Sequence, residues 1–399
     1  MRFLTLRDID VTSKRVLVRE DFNVPLKDGK VADETRIDAS LETLRHLRRN
    51  DARIVLMSHL GRPDGKRDPK LSLKPVAERL SAKLGVAVQF ADDCIGRPVE
   101  AQTQALKDGE VMLLENLRFH PEEEANDSMF ARALAKNGDI YVNDAFGTAH
   151  RAHASTEGVA HLMPAVAGFL MQKELDALAR LVDDPVQPYV CAIGGAKVAD
   201  KVGVFDCLLE RVSAFVIGGG MANTFLAAKG IDIGKSLHDS DLSHAKNIIT
   251  VASQRGVPLH LPEDIVVADG FDADDTAQTV ALDQIGERMI LDIGPQTGKD
   301  YAGVLRGAKT IVFNGPMGVY EKGKYQAGTR AILEAIAEAT KNGAISVVGG
   351  GDAAAAAHML GFDGAVTHVS TGGGATLEFL EGKTLPGVAA LEQAAEAKR

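Results

Sequence analysis

Short apolar runs alternate with amphipathic stretches along the whole chain. Arg15–Val18, Arg53–Met57, Val86–Phe90, Val111–Leu114 and Ile140–Val142 are too short for helices and too continuously apolar for half-exposed strands, so they read as buried strands. Helical periodicity lies between them. It is clearest from Glu34 onward, where Ile37, Leu41, Leu44 and Leu47 share one stripe and Arg45, Arg48 and Arg49 fall off it. The second half repeats the grammar, with expected strands at Tyr189–Ile193, Ala214–Ile217, Ile265–Val267, Met289–Ile293, Thr310–Phe313, Ile345–Val348 and Val366–Val369, and helices such as Thr329–Thr340 between some of them. This alternation predicts an α/β protein with parallel sheets covered by helices on both faces. A helix over Gln172–Leu181, closed by Asp183-Asp184-Pro185, marks a boundary between two similar domains.

Composition narrows the function. The 399 residues are enough for two or three ordinary domains, and a formal charge of −10 argues against a chain-wide footprint for nucleic acid or an anionic membrane. Small molecules are the expected partners. Three dispersed cysteines, Cys94, Cys191 and Cys207, form no disulfide framework, CxxC pair or Cys-rich zinc site, which fits a reducing cytosol. The N-terminus has no signal-peptide h-region, and the most apolar run, Val159–Met171, is broken by His161 and Pro164.

Ligands of parallel sheets bind beyond the carboxyl ends of the strands. In the second half those ends are rich in glycine: Gly194-Gly195-Ala196-Lys197, Gly218-Gly219-Gly220, Gly294-Pro295, Asn314-Gly315-Pro316-Met317-Gly318, Gly349-Gly350-Gly351-Asp352 and Gly372-Gly373-Gly374. One such turn requires only a positive φ; six in one domain suit backbone amides approaching a phosphate. Lys197 and Lys201, four residues apart, either share a face toward that phosphate or form a solvated surface. Asp352 is the best carboxylate for Mg²⁺, or caps a helix, or both. Gly230–Ser236 resembles a P-loop, but its spacing is one residue short, and no G-x-G-x-x-G occurs, which disfavours an NAD-dependent dehydrogenase.

The strand ends of the first half carry charge instead. Asp21-Phe22-Asn23, Ser58-His59-Leu60-Gly61-Arg62, Asn116-Leu117-Arg118 and Asn143-Asp144 with His150-Arg151 all follow strands, and residues 36–67 hold eight Lys/Arg against four acids. Arginine forks match phosphate and carboxylate, so a small polyanion is the expected substrate, although His59 and His150 could equally be core or loop histidines. One domain shaped for nucleotide phosphate and one for a small anion describe phosphoryl transfer.

These motifs together closely resemble the phosphoglycerate kinase family along essentially the whole chain. Arg15–Pro25, Ser58–Pro63, Glu115–Phe119 and Asp144–His153 look like its substrate-side motifs; Gly194–Val198 with Lys201, Asn314–Val319 with Glu321, Gly349–Asp352 and Ser370–Ala375 look like its nucleotide-side motifs. The resemblance implies two Rossmann-like parallel-sheet domains, three-layer αβα, separated by a cleft and joined by a helix hinge. The implied division is 1–168 for 3-phosphoglycerate and 1,3-bisphosphoglycerate, 169–187 as the interdomain helix, 188–378 for Mg-nucleotide, and 379–399 returning to the N-terminal domain. The implied reaction is the glycolytic transfer from 1,3-bisphosphoglycerate to MgADP, giving 3-phosphoglycerate and MgATP, by a cytoplasmic monomer without membrane or nucleic-acid partners. The competing expectation is a catalytically silent metabolite-binding scaffold.

By carry-over, Asp21 and Asn23 hold the glycerate end, while His59, Arg62, Arg118 and Arg151 hold the non-transferring phosphate. Phe22, Leu60 and Gly61 complete that site, and Arg36 sits near the transferring group. Lys197 and Lys201 reach the nucleotide phosphates and transition state, making these two and Arg36 the catalytic set. Glu321 meets the ribose, Asn314 the triphosphate and Asp352 the Mg²⁺. Gly195, Ala196, Gly219, Pro316, Gly318, Val319, Gly349, Gly350 and Gly351 complete the nucleotide site. Two positions depart from the family: Glu20 replaces a usually apolar residue and is expected to point outward, and Ala353 replaces Ser or Thr, which bears on nucleotide affinity.

Overall fold

The computed structural model describes residues 2–397; Met1, Lys398 and Arg399, at the ends of the expected N-terminal domain and C-terminal segment, lie outside the described residues. Two compact units divide the chain, residues 1–176 with 384–399, and residues 177–383. The division falls inside the helix Phe169–Val182. Residues 379–383, expected with the returning segment, stay in the second unit, where the helix Gly374–Leu380 packs on Val202–Leu208.

The first unit is built on six parallel strands in the order Val88–Phe90, Val111–Leu113, Arg53–Met57, Arg15–Arg19, Ile140–Asn143, Ala165–Ala167. Its inner strands are buried on both faces, which is why they read as unbroken apolar runs. The helix Thr35–Arg49 covers one face with its Ile37, Leu41, Leu44 and Leu47 stripe, and the Asp33 carboxylate accepts from the Thr35 N–H at 2.8 Å to start it. The edge strand Ala165–Ala167 was hidden in the apolar run before the boundary helix. The C-terminal helix Pro386–Ala397 packs against it and against Gly158–His161.

The second unit has a six-stranded parallel sheet ordered Leu259–His260, Ala214–Ile217, Tyr189–Ile193, Thr310–Asn314, Ile345–Val348, His368–Val369. In chain order this is 3-2-1-4-5-6, the order of doubly wound nucleotide folds, with its reversal between Tyr189–Ile193 and Thr310–Asn314. Ile265–Val267 and Met289–Ile293 do not extend this sheet as the sequence reading expects. They lie in strands Asp264–Ala268 and Met289–Ile293 of a separate antiparallel sheet, which Gln278–Ala281 completes. Short apolar runs do not distinguish a parallel strand from one half-buried in a small sheet.

Candidate active site

The strand ends of the first unit gather arginines over a buried polar floor. Arg36 ion-pairs with Asp21 at 2.7 Å, the Asn23 carboxamide oxygen accepts from the Gly61 N–H at 2.9 Å, and Arg118 donates to the Gly61 carbonyl at 3.0 Å. These bonds tie four segments into one patch. Asn116 fastens two of them, accepting from the N–H groups of Leu60 and Arg118 and donating to the Leu60 carbonyl at 2.7 Å. Arg151 hydrogen-bonds the neighbouring His150 at 3.0 Å, and Arg62 is exposed.

Two histidines of the patch, His59 and His153, are held below the ordinary histidine range. Burial, and then the charges of Arg19, Arg118 and Arg36 together with His153, hold His59 well below the ordinary histidine range. His153 is pushed down to about 3 by burial, with Arg118, Arg19 and Arg151 adding to the shift. Two expected site residues have no free side-chain surface: Phe22 is wholly buried and Leu60 nearly so, both in the core cluster of this unit. The Phe22 N–H is also engaged, donating to Ser58 Oγ at 2.8 Å. Only main-chain atoms of these two positions can serve a ligand.

Glu20 points inward, not outward. It continues the face of Val16 and Val18, because alternate residues of a strand share a side. Burial, and next the Asp144 carboxylate, raise its acid well above the usual range, and its Oε1 has no hydrogen-bond partner.

In the second unit the sheet reversal is bridged by one side chain. Lys201 Nζ donates to the carbonyls of Gly194 and Asn314, each at 2.7 Å, so it spans the two strands that part there. Burial lowers its pKa to about 8, against the opposing influence of Cys191, Asp352 and Asp200. Side chains are excluded around it: a Cβ on Gly194 would lie 2.0 Å from the Pro316 carbonyl oxygen, and one on Gly315 2.4 Å from that of Gly194.

Beside this crossing opens a cavity of about 690 Å³. Of the expected nucleotide residues, Gly195, Ala196, Gly219, Pro316, Gly318, Val319, Glu321 and Asp352 line it. Lys197 is exposed, while Asn314 is buried and donates to the Gly349 carbonyl at 2.9 Å, bracing the Gly349-Gly350-Gly351 turn. Neither lines the cavity, nor do those three glycines or Lys201. The sequence reading missed the apolar wall of Leu237, Ile265, Phe271, Met289 and Leu291. They come from three separate segments, and no local spacing links them.

Asp352 is exposed on the first turn of the helix Gly351–Leu360, whose N-cap is Gly350, so it does not cap that helix. An exposed carboxylate on the wall of a cavity flanked by glycine amides fits Mg²⁺, which takes one or two carboxylates and completes its shell with phosphate oxygens and water. Ala353 is buried in the core, so the methyl there faces apolar neighbours.

A doubly wound sheet with a lysine across its reversal and a glycine-walled cavity beside it, together with an arginine patch on a second parallel sheet, defines a nucleotide-using phosphotransferase. Comparison with known proteins makes the class specific. The family model described as "Phosphoglycerate kinase" matches residues 6–383. Curated relatives named phosphoglycerate kinase include that of Moorella thermoacetica, 55% identical over 98% of this chain and 100% of the relative. That of Chloroflexus aurantiacus is 54% identical over 98% of this chain and 99% of the relative. Among solved structures, the phosphoglycerate kinase of Coxiella burnetii superposes with a TM-score of 0.90 at 41% identity, covering 99% of this chain and 100% of that one. That of Pyrococcus horikoshii gives 0.85 at 34%, covering 98% and 99%. The chain belongs to the phosphoglycerate kinase family.

Proposed function

We propose that the phosphoglycerate kinase activity of this chain, reversible phosphoryl transfer between 1,3-bisphosphoglycerate and ADP, proceeds by direct in-line transfer without a phosphoenzyme. The observation that carries this reading is Lys201, a partly buried cation held by two strand-end carbonyls beside the glycine cavity. Phosphoryl transfer needs positioning and neutralisation of charge on the equatorial oxygens, and a cation that leaves its carbonyls for those oxygens supplies both. Arg36 has the matching role on the other substrate, since its ion pair with Asp21 already holds it at the patch. Lys197, exposed at the first glycine loop, adds charge to the nucleotide phosphates.

His59, Arg62, Arg118 and Arg151 hold the non-transferring phosphate, Asp21 and Asn23 orient the glycerate, and Glu321 meets the ribose. The backbones of Phe22, Leu60 and Gly61 close the substrate site. Asp352 would hold Mg²⁺, which neutralises nucleotide phosphate charge when bound. No general base is needed, because the 3-phosphoglycerate carboxylate is ionised at neutral pH. Substrates on separate units must reach near-attack distance, so the units close on one another when both are loaded. The enzyme works as a cytoplasmic monomer; among the described residues no helix is long and apolar enough to cross a membrane.

The test is Mg²⁺-dependent formation of ADP from ATP and 3-phosphoglycerate, trapping the acyl phosphate with hydroxylamine. Turnover is expected to require both substrates and to collapse in Lys201→Ala. A folded protein that binds both ligands and turns over neither would instead be a scaffold. Small-angle scattering should show compaction only with both ligands present.

A further inference from the structure

Arg19 ends the central strand of the first unit, and its side chain is completely buried, so its guanidinium N–H groups look for acceptors inside the protein. Three are in place. Nε donates to Ser155 Oγ at 2.8 Å, Nη1 to the Glu20 carbonyl, and Nη2 meets His59 Nδ1 at 3.1 Å.

The chemistry of these partners leaves one assignment. A guanidinium has no acceptor and stays charged, so Nδ1 of His59 must present its lone pair and the ring proton must sit on Nε2. On the far side, Ser155 Oγ accepts from Arg19, and its own hydrogen goes to Glu123 Oε1 at 2.5 Å. The other oxygen of Glu123 takes the Ser155 N–H at 3.0 Å, and Glu123 is itself completely buried. The donors in this line therefore diverge from Arg19, through Ser155 to Glu123 on one side and to His59 on the other, and every acceptor is fixed.

We propose that Arg19 is a positioning residue that fixes His59 as its neutral Nε2–H tautomer, and that Ser155 and Glu123 anchor Arg19 for this task. A second proton on the ring would set an N–H donor against the Arg19 N–H. It would also place a cation among Arg19 from the strand, Arg36 from its helix and Arg118 from the Asn116 loop, beside His153 from the loop after Ile140–Asn143. His59 thus gives the patch a directional donor without a charge of its own, while Arg62, Arg118 and Arg151 supply the charge. The positioning role rests on the proposed contact between His59 and 3-phosphoglycerate; the tautomer does not.

Long-range ¹H–¹⁵N spectra of the labelled full-length protein read the tautomer directly, with His59→Gln used to assign the ring. The expected result in ligand-free protein is a single Nε2–H form that does not titrate from about pH 5 to about pH 8, the range in which an ordinary histidine changes charge. A ring that carries its proton on Nδ1, or titrates as an ordinary histidine, overturns the proposal without touching the assignment of the substrate site. Adding 3-phosphoglycerate should shift the Nε2–H resonance. If it does not shift, the placement of His59 at the substrate fails, and the positioning role with it, while the tautomer stands.

Ser155→Ala removes the anchor but leaves His59 and Arg19 intact. It should give mixed ring tautomers and raise KM for 3-phosphoglycerate roughly three- to ten-fold, the worth of one hydrogen bond, with kcat nearly unchanged. An unchanged spectrum and KM in this variant would show that Ser155 plays no part.

Discussion

Two six-stranded parallel sheets prepare their ligand-facing edges by opposite means. The first unit uses side chains. His59 and Arg118 project from loops beyond strand ends and Arg36 from the first turn of the helix Thr35–Arg49, and each is held by a second layer, including Asp21, Asn116 and Arg19, much of it buried. The second unit uses main chain. Its loops are cut back to glycine so that amides and carbonyls crowd together, and one lysine bridges the gap. A charged side chain at a buried edge needs buried polar partners, because an unpaired one costs several kcal/mol. Backbone groups carry no such charge and need only space.

The largest effect expected from this contrast separates the two edges chemically. Lys201→Ala and Arg36→Ala should each lower kcat by at least ~10²-fold, the scale for losing one preorganised donor. Lys201→Ala should leave 3-phosphoglycerate binding intact by calorimetry, and Arg36→Ala should leave nucleotide binding intact. Full turnover in either variant would remove that residue from the catalytic set.

Steric intolerance should belong to the second edge. Gly315 has φ +102°, and a Cβ there would lie 2.4 Å from the Gly194 oxygen and 2.7 Å from Lys201 Nζ. Gly315→Ala should cost about 2–4 kcal/mol in denaturant unfolding and weaken nucleotide binding. Gly61→Ala in the first edge meets only the flexible Leu71 side chain, though with φ +64°, and should cost less.

Polar cost should belong to the first edge. Glu20 is a buried acid with one unpartnered oxygen beside Asp144, so Glu20→Met should stabilise the fold by about 1–3 kcal/mol. The sign of its pH dependence follows from the raised acid. Folded Glu20 keeps its proton above the pH at which the unfolded chain loses it, so its cost grows as pH rises past the unfolded value near 4.5. The gain from Glu20→Met should therefore be larger near pH 8 than near pH 5, by thermal unfolding in matched buffers. A gain independent of pH would mean that Glu20 is not protonated in the fold.

The smallest effect is an alkaline limb. Lys201, lowered to about 8 by burial, loses its charge as pH rises through that value. The kcat/KM for nucleotide should fall about ten-fold per pH unit beyond it, and the limb should be absent from 3-phosphoglycerate affinity. Bound phosphate favours the charged lysine, so the limb in kcat should lie higher.

How much could be read in advance varies with burial. The inner strands were legible because burial on both faces writes an unbroken apolar run, whereas the edge strand Ala165–Ala167 merges into the apolar run that leads to the boundary helix, and Leu259–His260 has only two residues. Glu20 was misread because its orientation depends on the strand's register, fixed by Val16 and Val18 facing the core. Asp352 reads from the sequence as a metal carboxylate, a helix cap or both, and only the structure shows that Gly350 occupies the cap.

Sequence by itself determined the alternating α/β grammar, the glycine loops and the arginine-bearing strand ends. Each depends on local requirements: a buried strand must be apolar, and a close backbone approach must be glycine. Tertiary structure alone decided which partners meet. It joined Leu237, Phe271 and Met289 in one wall, carried Lys201 Nζ across two strand ends, and lined up Glu123, Ser155, Arg19 and His59 from four segments. The physical reason is that hydrogen-bond direction and cavity shape arise between segments distant along the chain, and no spacing within one segment records them.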